Sequence, residues 1–462
     1  MFIKNDFLKN ISYSFLANVI SMIISILMIL FLPKLMDVKN YSIWQLYIFY
    51  TSYLGFFHFG WLDGIYLRYG GYEFANLDKV KFSSQLYAIF LFEFMIGFSL
   101  IVYVYYSFID LLQKNVLIFA FLLLIPIILY TFSSFILQIT NKIKEYSKLV
   151  LFERMCFVCL IIVYFLFGYR NYLGLFYIDL VSKISAMIYG LYLIKGILIF
   201  SIGRFTDILN EIFENISVGS KLLFANIASM LILGIIRFGI SEQWDIETFG
   251  KVSLALSIAN FLMVFINAVS VVLFPALKRV DDSKLKYIFV NVDNILTIVL
   301  LGGLLLYYPL KIALTWWLPQ YNESLQYVAI LFPLCFFESK VMLLFNTYLK
   351  ALRKELLLLK INISTVIFSM TLTIICVFYL RNIELTIFSI LFLFFYKYII
   401  SKICLLKELQ LKNNFSELFL ILFFVIMNIL QIDLLNAFIL YSGVYFVYTI
   451  INKNRIKLIF NK

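Results

Sequence analysis

The sequence predicts an all-α polytopic membrane protein of about 14 transmembrane helices: two six-helix lobes related by a parallel repeat, plus two C-terminal helices. Composition is the first reason. Of 462 residues, 63% are hydrophobic and 14% charged, more apolar surface than a soluble fold could hide, and fourteen apolar runs of about 20 residues each suit a hydrocarbon core of about 30 Å. Charge placement is the second. Most of the 38 Lys and Arg fall in every second polar segment, and short loops rich in Lys and Arg stay cytoplasmic. Both termini are therefore expected on the inner face of a bacterial cytoplasmic (inner) membrane. The third reason is an internal repeat, described below.

The spans follow in order. Span one, 11–33, comes after a polar lead with Lys4 and Lys9; it is too long for a signal peptide and lacks a small-residue cleavage site, so it is expected to be retained. Span two, 42–66, carries Gly55, Gly60 and Gly64. Span three is 84–109, span four, 115–138, is interrupted by Pro126, and spans five and six are 150–169 and 173–194. These make an N-terminal lobe, 1–195. Residues 196–220 read as a cytoplasmic linker, because Ile208, Leu209, Ile212, Phe213 and Ile216 share one helical face while Asp207, Asn210, Glu211 and Glu214 lie elsewhere, as in a helix lying on a membrane. The C-terminal lobe, 221–410, holds spans at 221–240, 249–277, 287–308, 325–349, 356–380 and 384–404; Gly302-Gly303 and Pro333 interrupt two of them. Spans 415–431 and 434–451 and a basic tail complete 411–462. The longest outside segment, 309–325, carries Trp316, Trp317 and Tyr321, residues suited to the headgroup level. Helices are required, because unpaired backbone is prohibitive in hydrocarbon and a barrel would show short alternating strands.

The repeat sets Asp37-Val-Lys-Asn-Tyr41-Ser42, after span one, against Asp245-Ile-Glu-Thr-Phe249-Gly250, after span seven. Nearly the same offset brings Lys142-Ile-Lys144-Glu145 onto Leu352-Arg-Lys354-Glu355. Six spans per unit keep both halves in one orientation, an arrangement known in transporters whose substrate site lies between the halves.

An ionised side chain at mid-bilayer costs about 2.5–3.5 kcal/mol on insertion scales, so each one retained there is a functional candidate. Glu93 lies in span three, Asp179 and Lys183 in span six, Arg237 in span seven, Glu338 and Lys340 in span ten; His58, Asp63 and Arg68 lie in the inner half of span two or at its mouth. Asp179 and Lys183 share a helix face, so they either neutralise each other or line a cavity where protonation of Asp179 frees Lys183 for an anion. Glu93 has no opposite charge within a turn and needs a partner on another helix or a proton. Arg237 either snorkels to the outer interface or offers its planar fork to phosphate oxygens. His58 is a switch near neutral pH or a hydrogen-bonding filler. Asp293, closer to the cytoplasmic edge, is expected to be solvated. The substrate-binding candidates are thus Arg237, Lys183, Lys340, Arg68 and His58, and the ion-coupling or gating candidates Glu93, Asp179, Asp63 and Glu338.

Other chemistry finds no footing. The five cysteines, including Cys156-x-x-Cys159, fall in apolar runs and read as small buried hydrophobes, with no metal site. There is no Walker loop, Rossmann fingerprint, zinc ligand set or acidic pair outside the membrane, so no catalytic residue and no enzyme is expected. The net charge of +12 is spread over short cytoplasmic segments and does not call for nucleic acid.

Several motifs lie along these spans. They are Leu32-Pro33-Lys34 with Tyr41-Ser42; Gly60-Trp-Leu-Asp63-Gly64 with Arg68; Arg237-Phe-Gly-Ile240; Phe249-Gly250-Lys-Val-Ser253; Phe274-Pro275-Ala276-Leu277; Leu318-Pro-Gln-Tyr321-Asn-Glu-Ser324; and Tyr348-Leu-Lys-Ala351-Leu-Arg-Lys354. In this order the chain resembles the polysaccharide-biosynthesis flippases, the O-antigen and capsule repeat-unit transporters of the multidrug/oligosaccharidyl-lipid/polysaccharide exporter superfamily. The resemblance implies two six-helix lobes in a V and two further helices. It also implies translocation of an undecaprenyl-pyrophosphate-linked oligosaccharide to the outer leaflet by alternating access. A cationic cavity would hold the pyrophosphate and an H+ or Na+ gradient would reset the cycle, with no other cofactor. Lipid-linked oligosaccharide, the bilayer and other membrane proteins of surface-polysaccharide or lipopolysaccharide assembly are the implied partners. Where the family has Asp before the Arg, this chain has Ile236. A multidrug exporter of the same superfamily would favour an acidic cavity, against Lys183, Arg237 and Lys340. A membrane polymerase or glycosyltransferase would need a larger outside loop, and a peptidoglycan-precursor flippase more cations in its first two spans.

Overall fold

The computed structural model describes residues 2–199, 202–260, 282–412 and 414–452. The second half of span eight with its Phe274-Pro275-Ala276-Leu277 motif, and the basic C-terminal tail, lie outside the described residues. Among those described the chain is helical, without strands, and it divides into two compact units, Met1–Ile227 and Ala228–Lys462.

In the N-terminal unit, α1 (Phe2–Leu35) runs through the polar lead and span one as one helix. α2 (Val38–Thr51) starts at Asp37, but span two is not continuous. A short turn at Leu54–Phe56 is followed by Phe59 and Gly60 at φ 51° and 87°, left-handed values that end any helix, before α3 (Trp61–Arg68) begins. α4 (Lys79–Tyr106) is capped by the Asp78 carboxylate, which accepts the Lys81 amide at 3.1 Å. Span four divides into α5 (Leu111–Leu122) and α6 (Leu124–Ile139), as expected where the Pro126 ring would collide with the carbonyl four residues back. α7 (Ile143–Leu166) and α8 (Tyr172–Leu193) complete the unit's spans.

The linker expected at 196–220 is not a separate element. Residues 205 to 243 form one helix, α9 (Phe205–Gln243), whose first turns lie against α3. Glycine makes that possible: a Cβ on Gly64 would sit 1.9 Å from the Asn215 carbonyl oxygen, and one on Gly219 would sit 2.0 Å from that of Gly60. The two backbones cross with no room for side chains.

In the C-terminal unit, α10 (Ile246–Ala259) opens on Asp245, whose carboxylate accepts the Thr248 amide at 2.9 Å. The Thr248 side chain, hydrogen-bonded to the same carboxylate, and that amide hold the Asp245 carboxyl below its ordinary range. α11 (Asp282–Gly303), a turn at Leu304–Leu306 and α12 (Tyr307–Trp317) form one apolar path from Leu285 to Trp317, so the outside segment expected from residue 309 begins only after Trp317. α13 (Asn322–Leu331) and α14 (Leu334–Ser339) bend by 49° at Pro333. A π-helical segment, Lys340–Phe345, leads into α15 (Asn346–Ala351), and α16 (Glu355–Thr373) runs into a second one, Ile374–Tyr379. α17 (Ile383–Glu408), α18 (Glu417–Ile429) and α19 (Leu434–Ile451) follow.

Corresponding helix ends carry corresponding caps. α6 ends with Asn141 at φ 57° and α15 with Arg353 at φ 56°. The next amide reaches back to Leu137 in one and to Leu349 in the other, each at 2.8 Å. These are left-handed terminations that cover the last carbonyls.

Ten described helices are long and apolar enough to cross a membrane, or eleven with the pair bent at Pro333. Fourteen is not reached because span two is broken, span eight leaves the described residues and α18 is short. Large apolar side chains such as Phe98, Leu166 and Phe446 are exposed, which suits lipid as the solvent. The chain is a multi-pass membrane protein.

If the crossing of α3 and α9 is as tight as this, Gly64→Ala should destabilise by about 1–3 kcal/mol, the cost of overpacking, although alanine is intrinsically the better helix former. Thermal denaturation in detergent measures it. Gly55→Ala, where nothing lies within 4 Å of the added carbon, should leave the midpoint unchanged.

Candidate functional site

Several groups of charged side chains lie in or at the mouths of the spans. In the N-terminal unit α8 presents Asp179 and Lys183 on one face, as their spacing requires, and they meet: Lys183 Nζ is 3.3 Å from Asp179 Oδ1. A third member joins them. Lys183 also donates to Glu153 Oε1 at 3.2 Å, and the Tyr47 hydroxyl donates to Asp179 Oδ2 at 2.9 Å. A cavity of about 290 Å³ adjoins this cluster, lined among others by Thr51, Ser52, Tyr130, Glu153 and Lys183. Arg154 also lies within electrostatic reach of Lys183, so two carboxylates meet two cations here. Glu153, at the inner end of the expected span five, was not singled out; α7 starts at Ile143 and carries it more than two turns inward.

Glu93, on α4, is 1% exposed, and neither of its oxygens has a hydrogen-bond partner among the described residues. At the break in span two His58 and Asp63 come together. His58 Nδ1 accepts the Gly60 amide at 3.0 Å, while Nε2 lies 3.9 Å from Asp63 Oδ2.

Arg68 is engaged by the first turns of α9. Its guanidinium donates to Glu211 Oε1 and Asn215 Oδ1, each at 2.6 Å, and pairs with Glu214. Lys81 Nζ stands 3.1 Å from Glu211 Oε2, and the Tyr69 hydroxyl donates to Glu211 Oε1 at 2.6 Å. Carboxylates that periodicity placed on a polar face are here the counter-ions of span-two and span-three cations.

In the C-terminal unit Arg237 donates to Ser253 Oγ at 3.0 Å and lies over the Phe249 ring at 5.2 Å. Lys340, fully buried in the π-helical segment, donates to the Asp293 backbone oxygen at 2.8 Å and also to the Asp293 carboxylate and the Thr297 hydroxyl. Asp293, expected to be solvated, is the counter-ion of the fully buried Lys340. Glu338 lies within electrostatic reach of Lys397, itself 3% exposed. Lys402 pairs with Glu417, which also accepts the Tyr398 hydroxyl. Lys397 went unnoticed in the sequence, although a cation well inside an apolar run is a signal that could have found it.

No protein-family model matches the sequence, and none of the curated proteins matches it. Solved structures do. A lipid II flippase, MurJ, in an inward closed conformation is similar over 97% of this chain and 100% of its own, at 13% identity and a TM-score of 0.64. A multidrug resistance MATE family transporter of the MOP superfamily, in its inward-facing conformation, is similar over 86% of this chain and 100% of its own, at 10% identity and a TM-score of 0.57. The chain has the MATE/MurJ-like fold.

Lys183→Met would leave Glu153 and Asp179 without their shared cation. Stability should fall by up to about 3 kcal/mol, the low end for breaking a buried pair because a cavity adjoins it. Adding Asp179→Asn, which removes the more deeply buried of the two charges, should recover most of the loss. Melting curves of the single and double variants decide, and a neutral Lys183→Met would mean that the cluster is not an ion network.

Proposed function

We propose that the chain is a flippase, not an enzyme, carrying undecaprenyl-pyrophosphate-linked oligosaccharide repeat units across the bacterial cytoplasmic membrane by ion-coupled alternating access. The observation that carries this reading is the likeness, over nearly the whole chain, to a flippase of lipid II. The order of the sequence motifs supports a surface-polysaccharide cargo.

In this reading the driving cation, H+ or Na+, is taken up by Asp179 with Glu153 and by Glu93, with Asp63 and Glu338 as further gating carboxylates. Each elementary charge moved across the membrane is worth about 2.3 kcal/mol per 100 mV. Arg237 contacts the pyrophosphate, for which its planar fork is suited. Lys183, Lys340 and Arg68 already have carboxylate partners, so they serve an anion when protonation releases them; His58 serves it as a hydrogen-bond donor. A second reading, export of cationic drugs, is favoured by the likeness to a multidrug resistance MATE family transporter. The other membrane proteins of polysaccharide assembly are proposed partners.

The test is transport in proteoliposomes. A fluorescent undecaprenyl-pyrophosphate oligosaccharide should change leaflet with an imposed ion gradient, while a cationic dye such as ethidium should not be carried; the reverse result sinks the flippase reading. Glu93→Gln and Asp179→Asn should abolish flipping at unchanged abundance. Arg237→Lys should keep part of the activity and Arg237→Ala lose most of it.

Orientation has its own measurement. A reporter fused after Lys462 should read cytoplasmic and one inserted near Asn322 periplasmic. A periplasmic C-terminus would require an odd number of spans and would overturn the two-lobe arrangement.

A further inference from the structure

Where the loop 409–416 joins α17 to α18, the C-terminal unit holds a cavity of about 540 Å³ that none of the roles above uses. Asp293, Lys402, Lys412 and Glu417 are the charged part of its wall, whose neutral polar part includes Asn291, Asn294 and Asn414. The hydrogen bonding of that wall is unequal. Lys402 donates to Glu417, to the Asn414 carbonyl at 2.6 Å and to the Tyr398 hydroxyl at 3.1 Å. Lys340, behind the wall, donates to the Asp293 carboxylate and carbonyl and to Thr297. An ammonium has three donors, so both are saturated.

Their partners are not. The bonds arrive at Asp293 Oδ1 and Glu417 Oε1; among the described residues none reaches Asp293 Oδ2 or Glu417 Oε2. Glu417 is 4% exposed, so its spare oxygen has little but the cavity to face. Lys412, exposed in the loop, makes no ion pair among the described residues. The wall therefore offers two spare carboxylate acceptors and one spare ammonium.

Depth narrows the ligand. Asp293 lies about two helical turns beyond Lys286, the charged residue that precedes the apolar run, roughly 10 Å at 1.5 Å per residue. Lys412 and Asn414 are in the connecting loop. The cavity thus straddles the level where lipid headgroups meet hydrocarbon, and Phe289, Val290, Leu406 and Leu411 give it an apolar rim.

We propose that this cavity binds a phosphoethanolamine zwitterion, the headgroup of an ethanolamine phospholipid, with its primary ammonium on the Asp293 and Glu417 oxygens and its phosphate at Lys412. A purely anionic headgroup would set its phosphate against two carboxylates. A purely cationic one would meet three ammoniums. A zwitterion answers both, and a primary amine is needed because the spare oxygens want N–H donors that a quaternary choline lacks.

The experiment uses the full chain, delipidated in neutral detergent, and follows thermal denaturation with added phosphatidylethanolamine, phosphatidylcholine, phosphatidylglycerol or chain-free glycerophosphoethanolamine. Phosphatidylethanolamine should raise the midpoint by several degrees more than the choline or glycerol lipid. Lys412→Ala should remove most of that difference, and Lys148→Ala, an exposed cation in the other unit, should keep it. Asp293→Asn should weaken it too; because that change also disturbs Lys340, the loop variant carries the test. Equal shifts from all three lipids, or an unchanged preference in Lys412→Ala, overturn the proposal. An equal shift from glycerophosphoethanolamine supports the zwitterion site and overturns the lipid source, whereas no shift from it supports the lipid.

Discussion

A charge carried into a bilayer has to find its counter-charge within the protein, because lipid supplies none. In this molecule that requirement links elements which sequence order alone would not join. Glu153 and Lys183 link α7 to α8, Arg68 and Glu211 link α3 to α9, Asp293 and Lys340 link α11 to a π-helical segment, and Lys402 and Glu417 link α17 to α18. Such pairs are poor sources of stability, since desolvating two ions offsets most of their attraction, and an apolar pair of similar volume commonly does as well. Their presence argues for a use in which partners are exchanged. Glu93, buried and without a hydrogen-bond partner among the described residues, shows the same requirement left unmet.

The α3–α9 crossing shows how backbone and charge act on one element. Glycine at 60, 64 and 219 removes the side chains that would hold the helices apart, and Arg68 then reaches Glu211, Glu214 and Asn215 on successive turns of α9. Further along the same helix the Ser369 hydroxyl donates to the Ile232 carbonyl at 2.7 Å, and Gly239 lies against Thr373 and Val377. One helix is therefore held near both of its ends by tight contacts. Displacement of its first turns would have to break several charged hydrogen bonds together rather than one at a time.

Much of the fold was legible because span length and loop charge are coarse signals set by the bilayer itself. The broken second span was harder to see. Its apolar content reads as one helix, and only the left-handed Phe59 and Gly60 reveal the break. The linker failed differently: amphipathic periodicity marked residues 205–216 correctly as helical, but nothing polar enough intervened before residue 221 to end the helix. Among site residues, Asp179 with Lys183 was legible because four-residue spacing is local. Glu153, Asp293 and Glu417 were not, because their partners lie far away in sequence and a charge near a span's end looks the same whether solvated or buried. Arg353 shows the converse limit. A left-handed cap is usually glycine or asparagine, so the likeness of its termination to that at Asn141 appears in the backbone and not in the residue type.

The sign of each cluster bears on what it can do. Around Lys183 the carboxylates of Glu153 and Asp179 are offset by Lys183 itself and by Arg154, which lies within electrostatic reach. At Arg68 the carboxylates Glu211 and Glu214 balance Arg68 and Lys81, with Glu214 and Lys81 open to solvent. In the C-terminal unit Lys340 and Lys402 are each matched by one carboxylate, with Lys412 in excess in the loop, so added negative charge is tolerated there. The first two groups are thus matched in sign, and of the three the last has a cation left over.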